Sequence, residues 1–236
     1  MKIDSCITPR LLTVAKMASK SRCLADIGTD HAYVPIYLIL NNIVDSALAM
    51  DINRGPLMRA EENINKFSLG EKIKTRLSDG LKELKNNEAD TVIIAGMGGI
   101  LINSIIDADK DRLTSVKRYI LQPMTAVEET RKYLYENDFL IVDEKMAKED
   151  NKIYTIISAT RGKMKPDKEI YFYVGKSLIE NKDEFLPEFL DGKIYEYEKA
   201  IKSMKNTHNE ETKEKATKYK ELLDEFKNLR KRCSEW

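Results

Sequence analysis

The first 160 residues alternate between short apolar runs and longer stretches with helical periodicity. Five of the runs have the length of strands and are apolar on both faces: 23–27, 46–52, 73–78, 90–95 and 118–123. Helical patterns lie between them, near 32–41, 54–66, 98–107 and 125–136. Strands of this kind, separated by helices, are typical of a parallel sheet that is covered on both sides. A further helix is predicted near the amino terminus, with Thr8 as its N-cap and Pro9 in its first turn.

The last two apolar runs of this region indicate a hairpin. Residues 139–147 and 152–160 are separated only by KEDN, which leaves no room for a helix. We therefore expect an α/β fold with a mostly parallel seven-stranded sheet that ends in an antiparallel hairpin. This combination indicates the class I methyltransferase variant of the Rossmann-like fold.

The pattern changes after residue 160. Residues 161–236 are rich in lysine and glutamate, and two segments carry apolar residues at spacings of three, four and three. These residues are Ile194, Tyr197, Ile201, Met204, Ala216, Tyr219, Leu223 and Phe226. Between the segments, KNTHNEET at 205–212 can reverse the chain. We expect a Rossmann-like domain over 1–160 and a coiled-coil-like antiparallel helical hairpin over 161–236.

The charge of the chain gives no sign of a nucleic-acid-binding protein as a whole, but it leaves one local basic cluster. The formal net charge is +1, so the whole chain does not have the charge of a nucleic-acid-binding protein. Most lysines and glutamates of the helical part are interpreted as a solvated surface. The densest basic cluster is KNLRKR at 227–232, where Arg230 and Lys231 are candidates for phosphate contact.

Three scattered cysteines and two distant histidines lack the spacing of a zinc site, and we expect no metal. Unpaired cysteines indicate a reducing compartment. The sequence has no signal-peptide pattern and no apolar run long enough to span a membrane. We expect a cytoplasmic protein that acts away from membranes and without an obligate protein partner.

The segment LADIGTDHAYVP, residues 24–35, is the first candidate ligand site. Asp26 and Gly28 end the first strand at the carboxyl edge of the sheet, where parallel sheets bind ligands. Gly28 permits a tight turn, and the amides of residues 29–32 are expected to point toward a carboxylate or phosphate. A dinucleotide-binding turn would carry glycines where Asp30 and Ala32 stand, and an acid there repels pyrophosphate. This argues against an NAD-dependent oxidoreductase and for a cationic ligand without phosphate.

The next two strands also end in acids. Asp51, followed by Ile52, can accept hydrogen bonds from a ribose diol, although it could instead cap the following helix. Asp79 and Gly80 follow the third strand, where they could frame an adenine ring or form a plain turn.

The fourth strand ends in a cluster of glycines, IIAGMGG at 93–99. One interpretation is that Gly96, Met97 and Gly98 allow a flat ligand to approach the backbone. The alternative is that Gly98 and Gly99 only give the backbone the freedom to turn into the next helix. Because glycine disfavours helices, we interpret the cluster as functional.

Together these motifs resemble a known family. They are TPRLLTVAKM, ADIGTDHAYVPIYL, MDINRGPL, SDGL, IIAGMGGILI, LQPM and KEDNKIYTI, in this order over about residues 1–160. The chain is similar to bacterial tRNA (adenine(22)-N1)-methyltransferases of the TrmK type. The resemblance implies S-adenosylmethionine as cofactor, a D-arm adenine of tRNA as substrate, and a methyltransferase domain followed by a helical one. Met124 stands where the family pattern has Asn, and GKSL at 175–178 where it has GP.

The resemblance and the chemistry of adenine together suggest roles for these residues. N1 methylation leaves a positive charge on the base, which a carboxylate stabilises. Asp30 is our candidate for that catalytic group, although it could instead cap the helix at 32. The cofactor-binding candidates are Asp26, Gly28, Thr29, Asp30, His31, Asp51, Ile52, Asp79, Gly80, Gly96, Met97 and Gly98. The substrate-binding candidates are Arg10, Tyr33, Gln122, Pro123, Met124, Arg230 and Lys231.

Two other functions are compatible with the same residues. A methyltransferase that uses S-adenosylmethionine could act on another RNA base. A non-catalytic RNA-binding or scaffold protein could use the helical hairpin for its contacts, and in that case Asp30→Ala would leave its role intact.

Overall fold

A computed structural model describes residues 2–204 and 209–236. The chain divides into two units, residues 1–166 and 167–236. The composition of the sequence placed the boundary after residue 160, whereas the last strand of the first unit runs to Arg161 and the division follows Pro166.

The first unit is built on a seven-stranded sheet with the order β3-β2-β1-β4-β5-β7-β6. The strands are β1 Ser21–Ile27, β2 Val44–Asp51, β3 Ile73–Leu77, β4 Thr91–Met97, β5 Arg118–Pro123, β6 Phe139–Glu149 and β7 Lys152–Arg161. β1 to β5 run parallel, and β7 is antiparallel to both β5 and β6. The mostly parallel sheet and its terminal hairpin are as the sequence predicts.

A short 3₁₀ helix, Ile3–Ser5, and five α-helices of the described residues accompany the sheet: α1 Pro9–Lys16, α2 Tyr33–Leu40, α3 Arg54–Lys66, α4 Gly99–Asp109 and α5 Val127–Glu136. α1 begins as predicted, because the Thr8 hydroxyl accepts a hydrogen bond from the Leu11 amide at 3.5 Å. Residues at the middle of β1 and β4, such as Leu24, Ala25 and Ile93, are fully buried. Helices therefore cover both faces of the sheet, and its carboxyl edge carries the loops.

The β6–β7 hairpin is closed by Asp150 and Asn151, which have φ angles of 48° and 62°. Two successive positive φ angles are the mark of a type I′ turn, whose twist matches that of paired strands. The guanidinium of Arg131 on α5 donates to the carboxylate of Glu144 on β6 at 2.8 Å, and both side chains are buried. This ion pair fastens the helix to the hairpin.

The second unit contains two short helices, α6 Ile170–Tyr173 and α7 Lys176–Glu180, and two long ones, α8 Leu186–Met204 and α9 Glu210–Cys233. The long helices are antiparallel, because Arg230 near the end of α9 bonds to Asp191 near the start of α8. Their shared core centres on Tyr197, whose ring lies 4.7 Å from that of Tyr219 and 5.1 Å from that of Phe226.

Half of the predicted seam is buried: Tyr197, Ile201, Leu223 and Phe226. The other four, Ile194, Met204, Ala216 and Tyr219, are partly exposed. Buried residues of the long helices outside the predicted seam include Leu186, Leu190, Leu222 and Leu229. The predicted turn at 205–212 lies partly outside the described residues. Across the described helices, none is both long and apolar enough to cross a bilayer.

Candidate active site

A cleft of about 410 Å³ opens at the carboxyl edge of the sheet, where β1 and β4 end. It is lined by Asp26, by the loop and helix start at 28–34, by Ala95 and Gly96, and by amino-terminal residues that include Arg10. The first and fourth strand ends therefore meet at one cavity, as expected for neighbouring parallel strands.

The backbone of the loop after β1 is hydrogen-bonded to the neighbouring strand, β2. Gly28 has a φ of +76°, and the amides of Gly28 and Thr29 both donate to the Met50 carbonyl, at 2.8 and 3.0 Å. The Thr29 amide therefore does not point toward a ligand, contrary to the prediction. Over the described residues, the amides at 30–32 make no hydrogen bond, so these remain available to an anionic group.

Asp26 is a buried acid in the wall of the cleft. Burial raises the pKa of its carboxyl to about 6, and the negative charge of Asp51 adds to the rise. The Thr29 hydroxyl lowers the pKa in part, although its oxygen makes no hydrogen bond of ordinary geometry. A cation bound beside Asp26 would stabilise the ionised carboxylate.

Asp30 lies in the same cleft with its side chain 56% exposed. Its Oδ1 accepts hydrogen bonds from Nε of Arg59 at 2.8 Å and from Nη2 of the same guanidinium. Its Oδ2 lies 3.4 Å from Nε2 of His31. The N-cap of α2 is Ala32, and no side chain caps that helix. The alternative in which Asp30 caps the helix is therefore wrong.

His31 and Tyr33 form a parallel stack next to Asp30, with ring centroids 5.2 Å apart and an interplanar angle of 9°. Nδ2 of the buried Asn63 donates to the His31 carbonyl at 3.1 Å and lies 3.5 Å from His31 Nδ1. The stack supplies the cleft with a flat aromatic surface.

Arg10 reaches the cleft from α1 and is held by three partners. Its Nη1 donates to Oε1 of Gln122 at 2.6 Å, its amide donates to Glu149 at 3.1 Å, and its guanidinium lies over the Tyr154 ring. Gln122 is fully buried, and its Oε1 also accepts the Gly96 amide at 3.1 Å. Gln122 therefore links Arg10 to the end of β4, and its contact with the substrate stays a prediction.

The other substrate candidates on this edge differ in exposure. Pro123 is buried, whereas Met124 is 42% exposed. Tyr33 lines the cleft.

The ends of β2 and β3 lie outside the cleft but on the same edge of the sheet. Asp51 accepts the Asn53 amide at 2.6 Å, and Asn53, not Asp51, is the N-cap of α3. Ile52 is 58% exposed. Asp79 is exposed and pairs with Lys82, and the turn at Gly80 has a φ of +61°.

The glycine cluster after β4 serves two purposes. Gly96 has a φ of +81° and lines the cleft, whereas Gly98 is the N-cap of α4. The terminal methyl of Met97 packs over Gly28, where an added Cβ would lie 2.1 Å from it. A Cβ on Gly99 would lie 2.4 Å from the Ala126 carbonyl oxygen, so Gly99 is required for packing. Gly99 is thus explained by packing, while a ligand-binding role for Gly96, Met97 and Gly98 stays a prediction.

In the helical unit, Nε of Arg230 donates to Asp191 at 2.8 Å, while Lys231 is exposed. Sequence reasoning missed four residues that hold the site: Arg59, Asn63, Glu149 and Tyr154. The spacing of four between Arg59 and Asn63, which places them on one face of α3, was the available signal. Among the described residues, no group of three or more potential metal ligands occurs.

Comparison with known proteins identifies the family. The sequence model of TrmK, tRNA (adenine(22)-N(1))-methyltransferase, matches residues 24–228. The chain belongs to the TrmK family. The tRNA (adenine(22)-N(1))-methyltransferase of Bacillus subtilis (strain 168) is 41% identical over 156 residues, which span 66% of this chain and 66% of that protein.

Two solved structures of TrmK-type proteins resemble this one along nearly their whole length. The B. subtilis M1A22 tRNA methyltransferase TrmK is 31% identical, with a TM-score of 0.86 over 95% of this chain and 98% of that chain. Streptococcus pneumoniae Sp1610, a putative tRNA (m1A22) methyltransferase solved in complex with S-adenosyl-L-methionine, is 29% identical. Its TM-score is 0.84 over 95% of this chain and 99% of that chain.

Proposed function

We propose that this TrmK-family protein methylates N1 of adenine 22 in the D-arm of tRNA, with S-adenosylmethionine as the methyl donor. The observation that carries the proposal is a carboxylate, Asp30, that faces the cleft formed where β1 and β4 end. We place the reaction in the cytoplasm, where the three free cysteines stay reduced.

The donor groups of the cleft fit this cofactor. Asp26 and Asp30 favour a cationic ligand, while the amides of residues 30–32 and the guanidinium of Arg10 favour a carboxylate. S-adenosylmethionine carries an ammonium, a sulfonium and a carboxylate but no phosphate. Farther along the edge, Asp51 can accept from the ribose hydroxyls and the exposed Ile52 can cover the adenine ring. When bound, the cofactor supplies an activated methyl group.

The chemical task left to the protein is small. Adenine N1 has its own in-plane lone pair, so no proton must be removed before the N–C bond forms. The side chains of the cleft must hold N1 in line with the methyl group. Asp30 can accept a hydrogen bond from the exocyclic amine and stabilise the positive charge that develops on the base.

Recognition of the RNA requires the target base to leave its stack, which costs a few kcal/mol. We propose that the base stacks in the cleft next to Tyr33, with Met97 and Met124 at its margin. The helical unit then contacts the tRNA backbone through the basic end of α9, residues 227–232. This contact involves Lys231 more than Arg230, because Asp191 already binds Arg230.

A methylation assay tests the proposal directly. Incubation with labelled S-adenosylmethionine and unmodified tRNA is expected to yield 1-methyladenosine, identified by mass, at position 22. Asp30→Ala should lower kcat by about a hundredfold or more, because it removes the group that stabilises the developing charge. The matched control is Asp45→Ala. It removes an exposed acid at the start of β2, the end of the strand that lies away from the cleft. Methylation of another atom, or full activity of Asp30→Ala, would overturn the proposal.

A further inference from the structure

One face of α3 is directed at the loop that carries Asp30. Arg59 and Asn63 are four residues apart, so they lie one turn apart on the same side of the helix. Arg59 bonds to the side chain of Asp30, and Asn63 bonds to the backbone of His31. A single helix thus holds two successive residues of the loop.

The two carboxylate oxygens of Asp30 have different partners. Both guanidinium donors, Nε and Nη2, bind Oδ1 of Asp30. Among the residues that the structure describes, the polar partner of Oδ2 is Nε2 of His31, at 3.4 Å. The arginine thereby fixes the plane of the carboxylate and leaves Oδ2 with lone pairs for a donor that enters the cleft. Without this contact, a carboxylate that is 56% exposed would rotate about its χ angles.

The contact with Asn63 fixes the next part of the loop. Asn63 is buried, and its amide holds the His31 carbonyl at 3.1 Å. The His31 ring stacks on Tyr33, where α2 begins. The orientation of the carboxylate and that of the aromatic surface are therefore both set from α3.

We propose that Arg59 is a positioning residue for methyl transfer that acts through Asp30, with Asn63 supporting the same loop. This inference rests on the proposed function, because it assigns Arg59 a role in the same reaction. Its alternative is that Arg59, whose side chain is 48% exposed, is a direct phosphate ligand of the tRNA.

A double-mutant cycle separates these roles. Arg59→Met is expected to lower kcat by about tenfold to a hundredfold, a larger change than any in the Kd of S-adenosylmethionine. In an Asp30→Ala background, the same change should have no further effect, because the group through which Arg59 acts is gone. Arg59→Lys should recover part of the activity. Lys66→Met removes a positive charge from the last turn of the same helix and should retain wild-type kcat.

The cycle also has outcomes that overturn the inference. Arg59 would be a phosphate ligand if Arg59→Met raised the KM for tRNA, left kcat intact and made tRNA binding less dependent on salt. Multiplicative effects of Arg59→Met and Asp30→Ala would show that the two residues act independently. If the unaltered protein transferred no methyl group to tRNA, the proposed function itself would fail.

A measurement without cofactor or tRNA tests the geometry by itself. The chain has two histidines, so the imidazole protons of His31 can be assigned by NMR through comparison with His31→Gln. The stack with Tyr33 shifts these signals by ring currents. Arg59→Met is expected to move them toward their unstacked positions, whereas Lys66→Met should leave them unchanged. Unchanged signals in Arg59→Met would show that the arginine does not order the loop.

Discussion

Asp26 shows how one buried acid couples stability to ligand binding. Its folded-state pKa of about 6 lies above the ordinary value, because burial disfavours the charged form. Folded protein therefore binds a proton more tightly than unfolded protein does. The stability that protonation confers is fully present below about pH 4 and is lost as the pH rises through about 6.

Replacing Asp26 by asparagine should remove the free-energy cost of keeping a buried carboxyl ionised at neutral and higher pH. Asp26→Asn is expected to raise the free energy of unfolding by up to about 3 kcal/mol at pH 7.5 and by much less at pH 4.5. Urea unfolding at the two pH values checks this, with the exposed Asp45→Asn as control. An equal gain at both pH values would contradict the assignment.

The protonation of Asp26 should also change the affinity of the protein for its cofactor. A protonated Asp26 loses its attraction for a cation, so the affinity of the wild-type protein for S-adenosylmethionine should fall as the pH drops below about 6. Asp26→Asn should bind the cofactor weakly at every pH. Calorimetric titration between pH 5 and 8 measures both effects.

Individual residues of the site were predictable to different degrees. The position of Asp30 at the cleft could be predicted because it replaces a glycine in a turn whose place after the first strand is set by the hydrophobic pattern. Arg59 was missed because the pattern identifies the polar face of α3, whereas the rotation of the helix against the sheet decides which polar residue reaches the loop. The Thr29 amide was misassigned because its bond to Met50 extends the β1–β2 pairing beyond the strand.

At the scale of elements, strand positions followed from the sequence because strands buried on both faces form continuous apolar runs. Helix starts without a side-chain cap were predicted within two residues from the hydrophobic period, although the capping residue itself gives no signal. α2 follows Ala32, which has a φ of 56°, and alanine carries no preference for that conformation. The glycine cluster after β4 was read as one functional motif, although its last member is a packing contact between α4 and the start of α5.

Two glycines in helices should respond to alanine in opposite directions. A Cβ at Gly99 would meet the Ala126 carbonyl oxygen at 2.4 Å and Thr130 Oγ1 at 2.5 Å, so Gly99→Ala should destabilise the protein by about 2–3 kcal/mol. Gly192 lies inside α8 with no atom within 4 Å of an added Cβ. Gly192→Ala should therefore stabilise its helix by about 1 kcal/mol. Chemical unfolding followed by circular dichroism measures both changes, and a neutral Gly99→Ala would contradict the packing argument.

For the whole molecule, the sequence indicated two units because the hydrophobic period changes from that of a layered sheet to that of paired helices. The composition changes from residue 161 onward, where Arg161 still pairs with Phe139 across β7 and β6. The division after Pro166 follows from contacts, which composition does not report.

Contact of the helical unit with tRNA should depend on particular charges of α9. Lys231 and Arg232 are exposed near its carboxyl end, and over the described residues neither side chain forms an ion pair. Lys231→Ala combined with Arg232→Ala should weaken tRNA binding and lower the slope of log Kd against log salt by roughly one to two. The affinity for S-adenosylmethionine should not change. Filter binding at several salt concentrations measures the slope.

A matched pair of lysines on the same helix controls for net charge. Lys213 and Lys218 are already paired, with Glu210 and Glu169. Replacing both by alanine removes the same total charge, but it should change the salt slope less, because these ammonium groups face carboxylates. If the two double variants weaken tRNA binding equally, the contact depends on the charge of the helix as a whole. The basic end of α9 would then lose its assigned role, while the methyl transfer proposed for the cleft would stand.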